Sequence, residues 1–211
     1  MRLSNVLLLI ISICLTVAFL VAGRRIDPLP PPPVSAGSSV VAKVTGPRIL
    51  LEKSQQGEAA SVGGFVQPPV SVLRVDRPMQ YGDFIWNDDG VPGGPMSIRV
   101  DLRTQLLSVF RAGHEIGIAV VLYGADAKET PIGRFPILWK GKNHRSSLYD
   151  APMPFTLRLT GDGVAIHGSE VRWGAATHGC IGVPTEFARH VFDVVSVSDP
   201  VMIVRSSGQI S

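Results

Sequence analysis

The chain has 211 residues and a formal net charge of +3, with an isoelectric point near 9.1. Its 20 Lys and Arg barely exceed 17 Asp and Glu, and no basic run gathers on one segment, so a nucleic-acid partner is excluded from the expectations. The charge falls only to +2 without residues 1–23, where Arg2 is the sole charged side chain.

The first element is apolar. After Arg2, residues Val6 to Ala22 carry no charge over seventeen positions, the pattern of a secretory signal or a signal anchor. Val21-Ala22-Gly23 offers small residues for cleavage, while Arg24 and Arg25 blunt a positive-inside argument for orientation. Residues 1–23 are therefore expected to direct export to the cell envelope or periplasm, cleaved or retained as an anchor through residues 6–22. Pro28 and Pro30 to Pro33 then favour polyproline geometry, and the Ser/Gly/Ala-rich stretches that follow are poor in large apolar groups. Residues 24–76 read as a semi-rigid then flexible linker, and 77–211 as one compact domain.

Within the domain, "SIRVDLRTQLLSVF" (97–110) alternates, and "IGIAVVLYG" (116–124) is a second β-branched run beyond a Gly-centred turn. A short strand is expected over Arg134–Lys140, and "FTLRLTGDGVAIHGS" (155–169) predicts a hairpin turning at Gly161-Asp162-Gly163. "PTEFARHVFDVVSV" has helical spacing with Thr185 as cap, and "DPVMIVR" closes as a strand. His114 reads as a turn residue and His190 as a helix-face residue. The fold class is mainly β, a sandwich or partly open barrel with one helix after Cys180.

Chemistry concentrates in "IHGSEVRWGAATHGCIGV" (166–183), which holds two of five histidines and the only cysteine outside the apolar run. Three readings compete. Zinc would take His167, His178 and Cys180, but the usual paired spacing is missing and only His144 offers a fourth ligand. A thiol nucleophile would use Cys180 with histidine help. Gly179 would admit a backbone, the Gly179 and Cys180 N–H groups would face an oxyanion, and a helix start near Pro184–Glu186 would lower the thiol pKa. An extended segment would also turn His178 and Cys180 to one face. The third reading is a small buried thiol among turn-capping histidines.

The segment "IHG…THGC" resembles the signature of the L,D-transpeptidase (YkuD-type) catalytic domain family. The similarity extends to "ETPIGRFPI", through Thr130, Pro131, Gly133 and Phe135, and to "SLYDAPMPFTLRLTGDGVAIHG" and "DPVMIV", covering about residues 95–205. The resemblance implies an exported, cofactor-free and metal-free cysteine acyltransferase acting on peptidoglycan stem peptides. Cys180 would attack the third stem residue and expel terminal D-alanine; an acceptor amine would resolve the thioester, as a 3→3 cross-link or a protein tether. By the same resemblance His167 takes the thiol proton, oriented by a carbonyl at Gly168 or Ser169, and His178 orders the site. Carbapenems are expected to acylate Cys180, and the enzyme is expected to be a monomer.

One departure stands out: Gly182 replaces the Arg or Asn that usually ends this motif. Lost positioning is the expected consequence, with Arg172 a candidate replacement cation or a solvated loop charge. Tyr149 would belong to a flap, Trp173 would line the cleft or anchor the loop, and Ser169 and Thr177 flank the motif as substrate-binding candidates. Two alternatives stay open. One is a non-catalytic or weakly active peptidoglycan-binding protein of this fold; the other is an L,D-carboxypeptidase or hydrolase using water.

Overall fold

The computed structural model describes residues 47–124, 128–146 and 150–207; the expected export segment, the polyproline stretch and Tyr149 lie outside them. At the centre are β4 (Met96–Asp101) and β5 (Leu106–Arg111), the hairpin that the alternation over 97–110 predicts. Ile98 stands opposite Val109 and Val100 opposite Leu107, all at most 1% exposed, so the period-two pattern becomes a continuous apolar layer. Asp101 closes the turn by accepting the Arg103 N–H at 3.0 Å. On the other side of β4, β12 (Pro200–Val204) runs parallel and adds Val201 and Ile203 to the same layer.

Beyond β5 lies β6 (His114–Val120), with β3 (Phe84–Trp86) antiparallel to it. With β1 (Arg48–Leu50), β2 (Ser71–Leu73) and β7 (Gly133–Pro136), these make an eight-stranded sheet ordered β1-β2-β6-β5-β4-β12-β7, β3 pairing with β6.

A second, four-stranded sheet contains β8 (Trp139–Arg145), β9 (Pro152–Arg158), β10 (Ala165–Ser169) and β11 (Ile181–Pro184), ordered β11-β10-β9-β8. β9 and β10 form the expected hairpin, whereas β10 and β11 are parallel, joined by the crossover loop 170–180. The helix α2 (Thr185–Val194) buries Phe187, Ala188 and Val191, and these pack into one core with residues of both sheets. Phe84 and Trp86 each bring a ring within 5.8 Å of Phe187, so β3 and α2 share an aromatic contact. Trp86 also stacks on His190 at 5.0 Å, which confirms that histidine on the helix face.

Three expectations change. Residues 48–76, read from composition as linker, carry β1, the helix α1 (Lys53–Val62) and β2. The apolar anchors of this stretch are few, Phe65 against the Phe110 ring at 5.7 Å and the buried Leu73, and backbone and polar contacts add to them. The Leu73 N–H donates to the buried Glu115 carboxylate at 2.7 Å, and the Arg48 guanidinium donates to the Glu115 and Asn87 carbonyls. Burial pushes the Glu115 carboxyl above its ordinary range. His114, expected in a turn, opens β6 and meets the Ser71 hydroxyl at 2.9 Å. Finally, the single strand expected over 134–140 is two strands in different sheets. The chain changes sheets after Pro136: the Ile137 N–H donates to Asp199 (3.0 Å) and the Leu138 N–H to Arg158 (2.7 Å). The helix expected after Cys180 is α2, and α1 is a second helix among the described residues.

Candidate active site

Parallel pairing of β10 with β11 brings the two ends of the crossover together. Ile166 pairs with Ile181 and both are buried on the core face, so the residues on either side of them face away from the core. On β10 these are Ala165, His167 and Ser169. All three line a cavity of about 360 Å³ that Thr177, His178 and Cys180 also line. His167 pairs with Gly182 in the register, and Cys180 precedes β11 at the level of Ala165. The histidine thus comes from β10 and the thiol from the residue that leads into its parallel neighbour β11.

The His167 ring is held by its own strand. Nδ1 lies 2.9 Å from the Gly168 carbonyl oxygen, and a carbonyl can only accept, so Nδ1 carries the proton. Nε2 is then the lone-pair nitrogen. Burial holds the imidazole below its ordinary pKa; the Gly168 bond opposes this and the nearby His144 reinforces it. His167 is accordingly a neutral base at neutral pH. Gly168 is tightly packed: a Cβ there would stand 3.0 Å from Pro154 Cγ and 3.2 Å from Thr185 Cα.

Cys180 is partly exposed and its thiol donates to the Gly163 carbonyl at 3.6 Å. Burial pushes its pKa up, against the pull of the Ala165 backbone and Lys128, while Asp162 adds to the rise. This corrects the expected helix effect. The four residues of β11 stand between Cys180 and α2, a separation of roughly 13 Å, beyond the reach of the first-turn charge. At rest the cavity therefore holds a thiol and a neutral imidazole.

Residues 178–180 form a bend rather than the expected extended run, with Gly179 at φ +97°. Two hydroxyls fix it. Thr177 Oγ1 donates to the Cys180 carbonyl, and Thr130 Oγ1 donates to the Gly179 carbonyl at 3.1 Å while accepting the Gly124 N–H at 2.9 Å. Leu122 and Gly182 exchange backbone bonds of 2.8 and 2.9 Å, tying the end of the large sheet to β11. Gly179 is buried, its backbone nitrogen 2.5 Å from where a Gly124 Cβ would stand, so the absence of a side chain at Gly124 lets the motif backbone approach.

The other sequence candidates divide. Ser169, Thr177 and His178 line the cavity. Arg172 does not: its side chain is 71% exposed and lies 3.9 Å from Glu170. Trp173 is 84% exposed and makes an edge contact with Tyr81 at 5.6 Å. Gly182 is buried, and a Cβ there would meet Ser169 Cβ at 3.0 Å, so a side chain at this position would crowd the end of β10. Among the described residues no three His, Cys, Asp or Glu side chains form a metal-binding group.

Sequence reasoning missed Lys128, Arg158 and Asp162 on the cavity wall and the clamp made by Thr130. It weighed His144 only as a zinc ligand. Pairing of β8 with β9 sets His144 opposite Met153, and both line the cavity. That placement depends on a register no local pattern states. Thr130 had a signal, its place in "ETPIGRF", but none for its partner 49 positions away.

Residues 95–203 match the family model of the L,D-transpeptidase catalytic domain (YkuD). Similar solved structures include L,D-transpeptidase 1 of Mycobacterium tuberculosis, 23% identical over 53% of this chain and 63% of that one, with a TM-score of 0.48. An L,D-transpeptidase of Stackebrandtia nassauensis is 22% identical over 56% of this chain and 60% of that one, with a TM-score of 0.49. One from Mycobacterium smegmatis is 21% identical over 59% and 68%, also at 0.49. The chain thus spans about three fifths of the length of the first two. No curated protein matches it significantly.

Proposed function

Because the chain belongs to the L,D-transpeptidase catalytic domain family, we propose that it is an exported cysteine acyltransferase acting on peptidoglycan stem peptides. Residues 1–23 would carry it to the cell envelope. In the first half-reaction the Cys180 thiol proton passes to His167 Nε2 as Sγ adds to the carbonyl of the third stem residue. The N–H groups of Gly179 and Cys180 face the oxyanion. Collapse breaks the peptide C–N bond, and D-alanine leaves with the proton returned by His167, which leaves a thioester. In the second half-reaction an acceptor amine attacks the thioester, gives its proton to His167, and expels the sulfur, which recovers that proton. The amine of another stem gives a 3→3 cross-link; a protein amine gives a tether.

One observation carries this reading: the Gly168 carbonyl fixes the His167 tautomer that leaves Nε2 basic in the cavity that holds Cys180. The resting thiol is not pre-ionised, so proton transfer belongs with attack.

Intact mass after incubation with meropenem tests the reading. The expected result is one added drug mass on the full chain and none on Cys180→Ala. No adduct on a folded wild type would overturn the acyltransferase reading and favour a peptidoglycan-binding role. Muropeptide products then separate transfer to an amine from hydrolysis.

A further inference from the structure

We infer that Lys128 is the donor-carboxylate recognition residue of this site, and that Asp162 holds it in place until the donor arrives. The inference rests on the acyl-transfer reading and deepens it by naming a specificity determinant. Lys128 lies on the cavity wall beside the nucleophile. Its Cγ, Cδ and Cε come within 3.2 to 3.4 Å of where a Gly179 Cβ would stand, so its stem rests on the motif backbone. From there Nζ reaches Asp162 Oδ2 at 3.1 Å. Asp162 sits in the β9–β10 turn, next to Gly163, whose carbonyl accepts the Cys180 thiol. The ion pair therefore joins the two walls that flank the sulfur.

The pair is exchangeable. Its side chains are 41% and 65% exposed, and solvated pairs of that kind contribute little net stability. An incoming carboxylate can take the ammonium from Asp162 at small cost. The other cations nearby are not comparable. Arg158 also lines the cavity, but its guanidinium is engaged with the Thr160 and Gly161 carbonyls at 3.1 and 2.7 Å. Arg172 does not line it, and Gly182 offers no side chain. In a donor whose attacked carbonyl is followed by one terminal residue, the terminal carboxylate lies roughly 4 Å further along the chain, the spacing of consecutive residues. That places it in reach of a cation beside Cys180. The site should thus prefer a free C-terminal carboxylate over a neutral or extended end.

The test compares a stem tetrapeptide ending in D-alanine with the same peptide ending in D-alanine amide, on the full-length protein. Wild type is expected to favour the carboxylate donor about tenfold in kcat/KM, mostly through KM. Lys128→Met should bring the two donors within about twofold, Lys128→Arg should restore most of the preference, and Asp162→Asn should lower KM for the carboxylate donor about twofold. A Lys128→Met variant that keeps the tenfold preference, with unchanged melting temperature, overturns the inference. A separate readout covers failure of turnover itself. Protection of Cys180 from the neutral reagent iodoacetamide by each peptide should show the same carboxylate preference, lost in Lys128→Met. Preference in protection without turnover would uphold Lys128 and sink the enzymatic reading; no preference in either readout would sink Lys128.

Discussion

The centre of the large sheet and the β10–β11 crossover solve opposite problems. In β4, β5 and β12 the inward positions are Ile98, Val100, Leu107, Val109, Val201 and Ile203, each at most 1% exposed and paired across adjacent strands. Strand pairing and apolar burial hold this region, and these inward positions carry no functional group. At the crossover the backbone turns through a left-handed Gly179, and hydroxyls from Thr130 and Thr177 hold its carbonyls. One region is stabilised by area removed from water, the other by individual polar contacts around a cavity. Loss of area should lower stability and spare chemistry; loss of one polar contact should do the reverse.

The largest expected effect falls at the crossover. Cys180→Ala should abolish acylation, and His167→Ala should lower it by about 10²- to 10⁴-fold, with melting temperatures near wild type. Stopped-flow measurement of meropenem consumption, alongside calorimetry, reads both quantities. A His167→Ala variant that acylates at the wild-type rate would remove the base from the mechanism.

Leu107→Ala should cost about 3 kcal/mol of stability by leaving a cavity in the paired layer, while the folded fraction acylates normally. Urea unfolding and active-site titration would separate the two. A large loss of acylation per folded molecule would erase the distinction between the regions.

Thr130→Val should fall between these extremes. It removes a buried donor to Gly179 and an acceptor for Gly124 N–H, costing about 1–3 kcal/mol, and frees the motif backbone. A roughly tenfold slower acylation is expected, rescued by Thr130→Ser, which keeps both bonds.

The pH dependence gives a smaller, graded effect. Burial holds His167 below its ordinary 6.5, so the acid limb of acylation should lie below pH 6.5. The same shift means that unfolding takes up a proton between the folded and unfolded values, so His167 contributes a loss of stability as pH falls through that window. The Cys180 thiol is pushed above its ordinary 9.0, so alkylation by iodoacetamide should still be rising at pH 9. A plateau below pH 7 would instead reveal a pre-formed thiolate. Least affected should be Trp173→Ala, which changes stability by no more than about 0.5 kcal/mol and leaves acylation at the wild-type rate.

Local patterns made much of the fold legible. Alternation over 97–110 and the Gly161-Asp162-Gly163 turn placed two hairpins, because strand period and turn chemistry act over neighbouring residues. The helical spacing of Phe187 and Val191 placed α2. Residues 48–76 were misread because their apolar anchors are few and polar contacts to β6, made by Glu115 and His114, add to them. The strand over 134–140 was misread because the change of sheet at Ile137 and Leu138 depends on Asp199 and Arg158, both distant in sequence.

By itself the sequence determined the family, the mainly β class, and the gathering of His167, His178, Gly179 and Cys180 in one short segment. It did so because these are matters of residue type and close spacing. Only the tertiary structure decided that β11 lies parallel to β10, which sets His167 and Cys180 around one cavity. It also decided that Arg172 and Trp173 stay outside, that Lys128, His144 and Asp162 come in, and that Thr130 clamps the motif backbone. The reason is physical: strand register and crossover geometry follow from the global burial of apolar faces, and that sum runs over residues too far apart for any local pattern to hold.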